Sequence, residues 1–198
     1  MSYCLMVYAA RFDKLKPVFG SGDDKIRRMI CGRFKSRLQQ RADYFASEIQ
    51  NGAPTPFDAI RALLIGPVPD KGHGFMYAYA YETIVEHFGR FLDNNAFSSI
   101  RWSYMEEVEE GFKKAGLNEV LPFSDLYGGQ ALCKFPHPDD FPSYGYWSPE
   151  TVVAGHKRFQ EIEIPADLEE YVKDALLAVR GWVNSAAGKG EGILGFYY

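Results

Sequence analysis

The chain lacks the signatures of a disulfide or metal protein. Its three cysteines, Cys4, Cys31 and Cys133, are an odd number at no motif spacing. No C-x-x-C pair is present, which excludes the usual zinc and thioredoxin-like patterns. The four histidines, His73, His87, His137 and His156, form neither H-x-x-x-H nor H-E-x-x-H. No metal and no cofactor are therefore expected. No run approaches the ~18–20 apolar residues of a membrane span. The opening MSYCLMVYAA has no basic leader region and reads as a strand rather than a signal peptide. A reducing cytoplasm is the expected location. Nucleophile elbows and dinucleotide fingerprints are missing as well. The run Gly188–Gly192 lacks the strand and helix that make a phosphate loop. Gly20-Ser21-Gly22 precedes a helix, but Asp23 and Asp24 would repel a phosphate there.

What is present is aromatic. The 198 residues include 13 Tyr and 15 Phe, and aromatic residues make up 16% of the chain. Such rings fill cores or line binding grooves. The formal charge of -4 is unevenly spread: Arg11 to Arg61 holds eleven basic and six acidic residues, and the rest eleven and twenty. No acidic residue falls between Lys25 and Ala42. Arg33, Arg37 and Arg41 then align on one helical face, a pattern that binds nucleic acid, docks on an acidic protein, or pairs with the chain's own acidic half.

Residues 3–9 read as a first strand, and GILGFYY at the end as a last strand beside it. Ile26, Ile30, Phe34 and Leu38 form a helical stripe with Ser21 as cap, and Gly32 is the expected break. Thr55-Pro56 and Ser148-Pro149 are helix starts. A further helix is expected from about Ser99 to Lys114. Leu168, Val172, Leu176, Val179 and Val183 mark the last helix. Residues 117–146, rich in Pro and Gly, read as loops with at most short strands. Helices and a few strands without βαβ alternation predict an α+β fold: a single domain over residues 1–198, mostly helical, with a small sheet pairing the N- and C-terminal strands.

The stretch Gly74–Phe97 is the densest in chemistry. Read as one helix, it puts Tyr77, Tyr81, Ile84, Val85, Phe88, Phe91 and Leu92 on a core face. Glu82, Glu86 and Arg90 fall on the opposite, solvated face, where Glu86 pairs with Arg90. His87 lies at the border of the core stripe. In PHPDDFP, His137 stands beside Asp139 and Asp140, a grouping suited to an acid–base pair, a loose metal site or a solvated loop. These four residues are the catalytic candidates. Tyr144, Tyr146 and Trp147, beside the irregular segment, are the aromatic contact candidates.

GYWSPETV and AVRGWVNSAAGKGEGILGFYY resemble elements of the YfbM-like group of uncharacterised bacterial proteins. Tyr146 to Glu150 and Ala186 to Tyr198 carry the likeness, over about a quarter of the chain. The group's usual Asp-Lys-x-Trp-x-x-Leu-His helix is replaced here by YAYETIVEHFGRFLD. The resemblance implies an α+β domain and no activity. With no catalytic signature, the leading expectation is a cytoplasmic bacterial protein-binding domain, for instance one that neutralises a toxin. A small hydrolase or transferase with a Tyr/His/Asp-lined cleft is the alternative, and nucleic-acid binding through Arg33, Arg37 and Arg41 is third.

Overall fold

A computed structural model describes residues 2–198. In chain order, β1 (Tyr3–Ala10) is followed by α1 (Phe12–Leu15), α2 (Asp24–Arg33), α3 (Lys35–Tyr44) and α4 (Ala46–Gln50). Next come α5 (Pro56–Ile65), α6 (Gly74–Phe88), β2 (Arg90–Phe91) and β3 (Ser98–Ile100). The chain ends with α7 (Trp102–Lys114), β4 (Ser143–Trp147), α8 (Pro149–Glu161), α9 (Glu170–Ala187) and β5 (Gly192–Tyr197). The fold is α+β and mostly helical, with a small sheet that pairs the first and last strands, as the sequence predicts.

Contacts divide the chain into two compact units that interleave in sequence. Among the described residues unit 1 comprises 2–12, 89–130 and 144–198, and unit 2 comprises 13–88 and 131–143.

Unit 1 carries the sheet, in the order β2-β1-β5-β4, with β3 paired to the start of β1. β1 and β5 run antiparallel from Leu5↔Tyr197 to Ala10↔Gly192. α9 packs against both α7 and α8. Its inward stripe is the predicted one: Val172, Leu176, Val179 and Val183 are buried. Phe97 lies 5.0 Å from Trp182 and 5.7 Å from Phe123, centroid to centroid, and Phe112 stacks 5.0 Å from Phe123. Full burial of each such ring is worth roughly 1.5–3 kcal/mol. The indole N–H groups find partners: Trp182 donates to the Asp93 carbonyl at 2.6 Å and Trp147 to the Pro122 carbonyl at 2.7 Å. The 3-10 turn Phe123–Leu126 rests on two strand glycines. A Cβ at Gly145 would overlap the Asp125 carbonyl, and one at Gly195 the Leu126 carbonyl.

Unit 2 is helical. α5 packs on α6, and α2 and α3 pack on α5, around Ile30, Leu38, Ile60, Leu64, Met76 and Tyr81. Asp23, not Ser21, caps α2: its Oδ1 accepts from Lys25 N at 2.8 Å and Ile26 N at 3.1 Å, while Ser21 Oγ accepts from Asp23 N. Thr55 caps α5 as predicted, accepting from Asp58 N at 3.1 Å. The expected break at Gly32 falls instead at Phe34, and a second falls at Phe45. Both rings turn toward α6: Phe34 lies 6.3 Å from His87 and Phe45 4.9 Å from Phe75. Tertiary packing, rather than a helix-breaking residue, sets these ends.

Two further expectations are corrected. α6 stops at Phe88, so Arg90, Phe91 and Leu92 do not continue its face; Arg90 and Phe91 form β2. α7 begins at Trp102 rather than Ser99, because Tyr3 and Cys4 pair with Ile100 and Ser98. The segment 117–146 holds a 3-10 turn and most of the short strand β4, and its residues belong to different units. Among the described residues no helix is long and apolar enough to cross a membrane.

Candidate functional site

The basic stripe faces α6. Arg37 Nη1 pairs with Glu86 Oε2 at 2.5 Å, and its guanidinium sits 4.6 Å from the centre of the Phe34 ring. Arg41 lies 3.7 Å from Glu82, donates to the Tyr79 carbonyl at 3.3 Å and covers the Tyr79 ring at 4.0 Å. Arg33 reaches the His87 carbonyl at 3.4 Å. Glu82 is only 2% exposed, so the face expected to be solvated is buried at that point. Glu86 pairs with Arg37 rather than Arg90, and Arg90 pairs with Glu191 at 2.9 Å. Each of the three arginines thus contacts α6, and Arg33 is also exposed to solvent.

The catalytic candidates do not all converge. The loop carrying His137, Asp139 and Asp140 meets the first residue of α6, where a Cβ at Gly74 would overlap the His137 carbonyl. His87 sits near the other end of that 15-residue helix, about 20 Å away at 1.5 Å per residue. His137 is exposed, and its Nδ1 donates to the carbonyl of Pro138 at 2.7 Å. His87 Nδ1 is buried and has no hydrogen-bond partner among the described residues. Burial, and then the charge of Arg33, hold the His87 pKa below its usual value.

This depression fixes a pH dependence. Below the unfolded pKa of about 6.5 the unfolded chain binds the proton more readily than the folded one. Stability is thus expected to fall as pH drops from about 6.5 toward the lower folded pKa. Urea unfolding at about pH 7.5 and about pH 5.5 is expected to show a smaller loss for His87→Gln than for the wild type. Equal losses would refute this assignment.

Of the aromatic contact candidates, Trp147 is 1% exposed and Tyr144 is also buried. Both are core residues, which corrects their reading as contacts. Tyr146 stays half-buried, edge-on to Phe12 at 5.4 Å.

Unit 2 instead holds a cavity of about 340 Å3, lined by Phe45, Glu48, Phe75, Asp139, Asp140 and Phe141, with His73 and Gly74 at the start of α6. The bend between α3 and α4 projects Phe45, whose ring is 4.9 Å from Phe75 and 5.7 Å from Tyr79. Next to it Tyr44 is 81% exposed, with ring centroids 4.8 Å apart. Glu48, Asp139 and Asp140 are exposed at the cavity wall. The α6 N-terminus contributes about half a positive charge, against three carboxylates. The cavity is net negative and has three phenylalanines in its lining, residue types suited to holding an organic cation. Burial raises the Tyr79 pKa despite Arg41, with Asp140 among the smaller contributors. Among the described residues no three His, Cys, Asp or Glu side chains are grouped to hold a metal ion.

The sequence pointed to Asp139 and Asp140 but missed Phe45, Glu48, His73, Phe75 and Phe141. Phe141 stood beside the two aspartates in PHPDDFP and was the one legible clue.

Fold and cavity together define an α+β chain with an anionic, aromatic recess in unit 2. All 198 residues match the family described as Domain of unknown function (DUF7691), and the chain belongs to that family. No curated protein and no solved structure matches it.

Proposed function

We propose that this chain is a non-enzymatic, cytoplasmic protein-binding domain whose unit 2 cavity receives a cationic side chain of its partner. The single observation that carries this reading is the juxtaposition of Phe45, Phe75 and Phe141 with Glu48, Asp139 and Asp140 around one recess. Arginine or lysine entering it gains ring contacts and carboxylate partners together. Tyr44, exposed at the adjoining turn, supplies the large amphipathic contact typical of interface anchors. A toxin-neutralising role in a bacterium is the particular case we favour, since an acidic recess complements a basic toxin surface.

The test has two arms. N-acetylarginine amide, titrated by NMR, is expected to shift the Phe45 and Phe75 resonances. Asp139→Lys/Asp140→Lys is expected to weaken that binding at least about tenfold, through charge reversal at a close pair. A protein captured from lysate by the wild type should be lost with the same variant. Undiminished binding of both probes by the variant would sink the proposal.

A further inference from the structure

A second cavity, of about 440 Å3, lies wholly within unit 1. That volume falls in the range of small-molecule pockets, roughly 300–1,000 Å3. Asp125, Gln130, Tyr146, Ser148 and Thr151 line it, with the backbone of Gly128 and Gly129 completing the wall. Two hydroxyls are already committed: Ser148 Oγ accepts from Thr151 N at 3.2 Å and lies 3.2 Å from Thr151 Oγ1. The other three polar side chains are not. Among the described residues no hydrogen bond or ion pair engages the side chains of Asp125, Gln130 or Tyr146.

The charge balance selects the ligand class. The cavity sits at the N-terminus of α8, whose cap is Ser148. That end carries about half a positive charge, which opposes a cation. Asp125 is the one ionisable carboxyl in the wall, and it opposes an anion. Half a positive charge against one carboxylate leaves about half a negative charge, far less than the three carboxylates of unit 2 leave. What the cavity offers is a carboxylate that accepts, an amide that both donates and accepts, and a phenol that does either on an aromatic ring. Asp125 and Gln130 are both exposed to solvent, and partial desolvation lifts the Asp125 pKa above its ordinary value.

We infer that the unit 1 cavity binds a neutral, hydroxyl-rich small molecule of the monosaccharide class. Vicinal hydroxyls donate to the two oxygens of Asp125, Gln130 bridges a neighbouring hydroxyl, and the C–H face of the sugar lies on the Tyr146 ring. The inference is independent of the unit 2 cavity.

Saturation-transfer NMR on the full chain tests it with glucose, galactose, mannose, N-acetylglucosamine and ribose, each at about 5 mM, suited to weak affinities. At least one sugar is expected to receive saturation. Asp125→Ala and Gln130→Ala are each expected to reduce its binding about tenfold, the loss of one hydrogen-bonding partner. Both variants should keep the wild-type circular dichroism; if Asp125→Ala unfolds, Gln130→Ala decides alone. Tetramethylammonium and inorganic phosphate serve as charged competitors. Transfer to none of the five sugars, transfer undiminished in Gln130→Ala, or displacement by either ion would overturn the inference.

Discussion

Gly145→Ala is expected to lower the unfolding free energy by about 3 kcal/mol, mainly by overpacking. The added Cβ overlaps the Asp125 carbonyl oxygen and comes within 2.8 Å of its carbon and 2.9 Å of the Leu126 carbonyl carbon. These neighbours are backbone, so no rotamer change relieves the clash. The 3-10 turn must lift off the sheet, and with it Phe123 and Leu126, both at 0% exposure. Partial exposure of two such side chains adds to the overpacking, since each is worth roughly 1.5–3 kcal/mol when fully buried. Gly195→Ala, meeting Leu126 from β5, is expected to act in the same direction. Urea unfolding measures both. A midpoint within error of wild type for Gly145→Ala would show that the turn does not rest on the strand as described.

Arg41→Ala is expected to cost about 3 kcal/mol, the lower end of the range for breaking a buried pair. The change takes a guanidinium from a carboxylate whose side chain is 3% exposed. It also uncovers the Tyr79 ring, a contact worth about 1 kcal/mol or more when desolvated. Glu82→Gln in the same chain removes the buried charge, so the double variant is expected to be more stable than the single losses predict together. A double-mutant cycle in urea reads the coupling directly. A cost below about 1 kcal/mol for Arg41→Ala would place this pair with ordinary surface bridges.

The elements legible in the sequence were those set by local chemistry. Thr55 and Ser148 announce their helices because a hydroxyl before a proline satisfies the first free N–H groups wherever it occurs. The α9 stripe was legible because one period covers its core face, and β1 and β5 because their apolar runs are short and bounded. What failed depended on distant partners. Glu82 reads as a surface residue until Arg41, forty-one positions earlier, is placed against it. Phe34 and Phe45 carry no break signal; the rings of α6 end those helices.

The candidate site was half legible for the same reason. Asp139 and Asp140 stood out as a pair, whereas Phe45, Phe75 and Glu48 sit in runs that read as ordinary helix. Only the packing of loop 131–143 onto the start of α6 turns them into one recess. Trp147, beside a loop, reads from sequence either as a contact or as core, and its indole bonded to the Pro122 carbonyl places it in the core.

The pairing of β1 with β5 sets a timetable for synthesis. The strand at residues 3–10 finds its long antiparallel neighbour only at residues 192–197, about 180 residues later. At roughly 5–20 residues per second, a ribosome takes about 10–40 s to deliver it. Over that interval β1 can recruit only the short β2 and β3, leaving Leu5 and Val7 without their final cover. Unit 2 suffers less delay, since its last piece ends at residue 143. The sheet is thus the late-maturing part of the molecule, and until β5 arrives one edge of β1 is open to pairing with other strands.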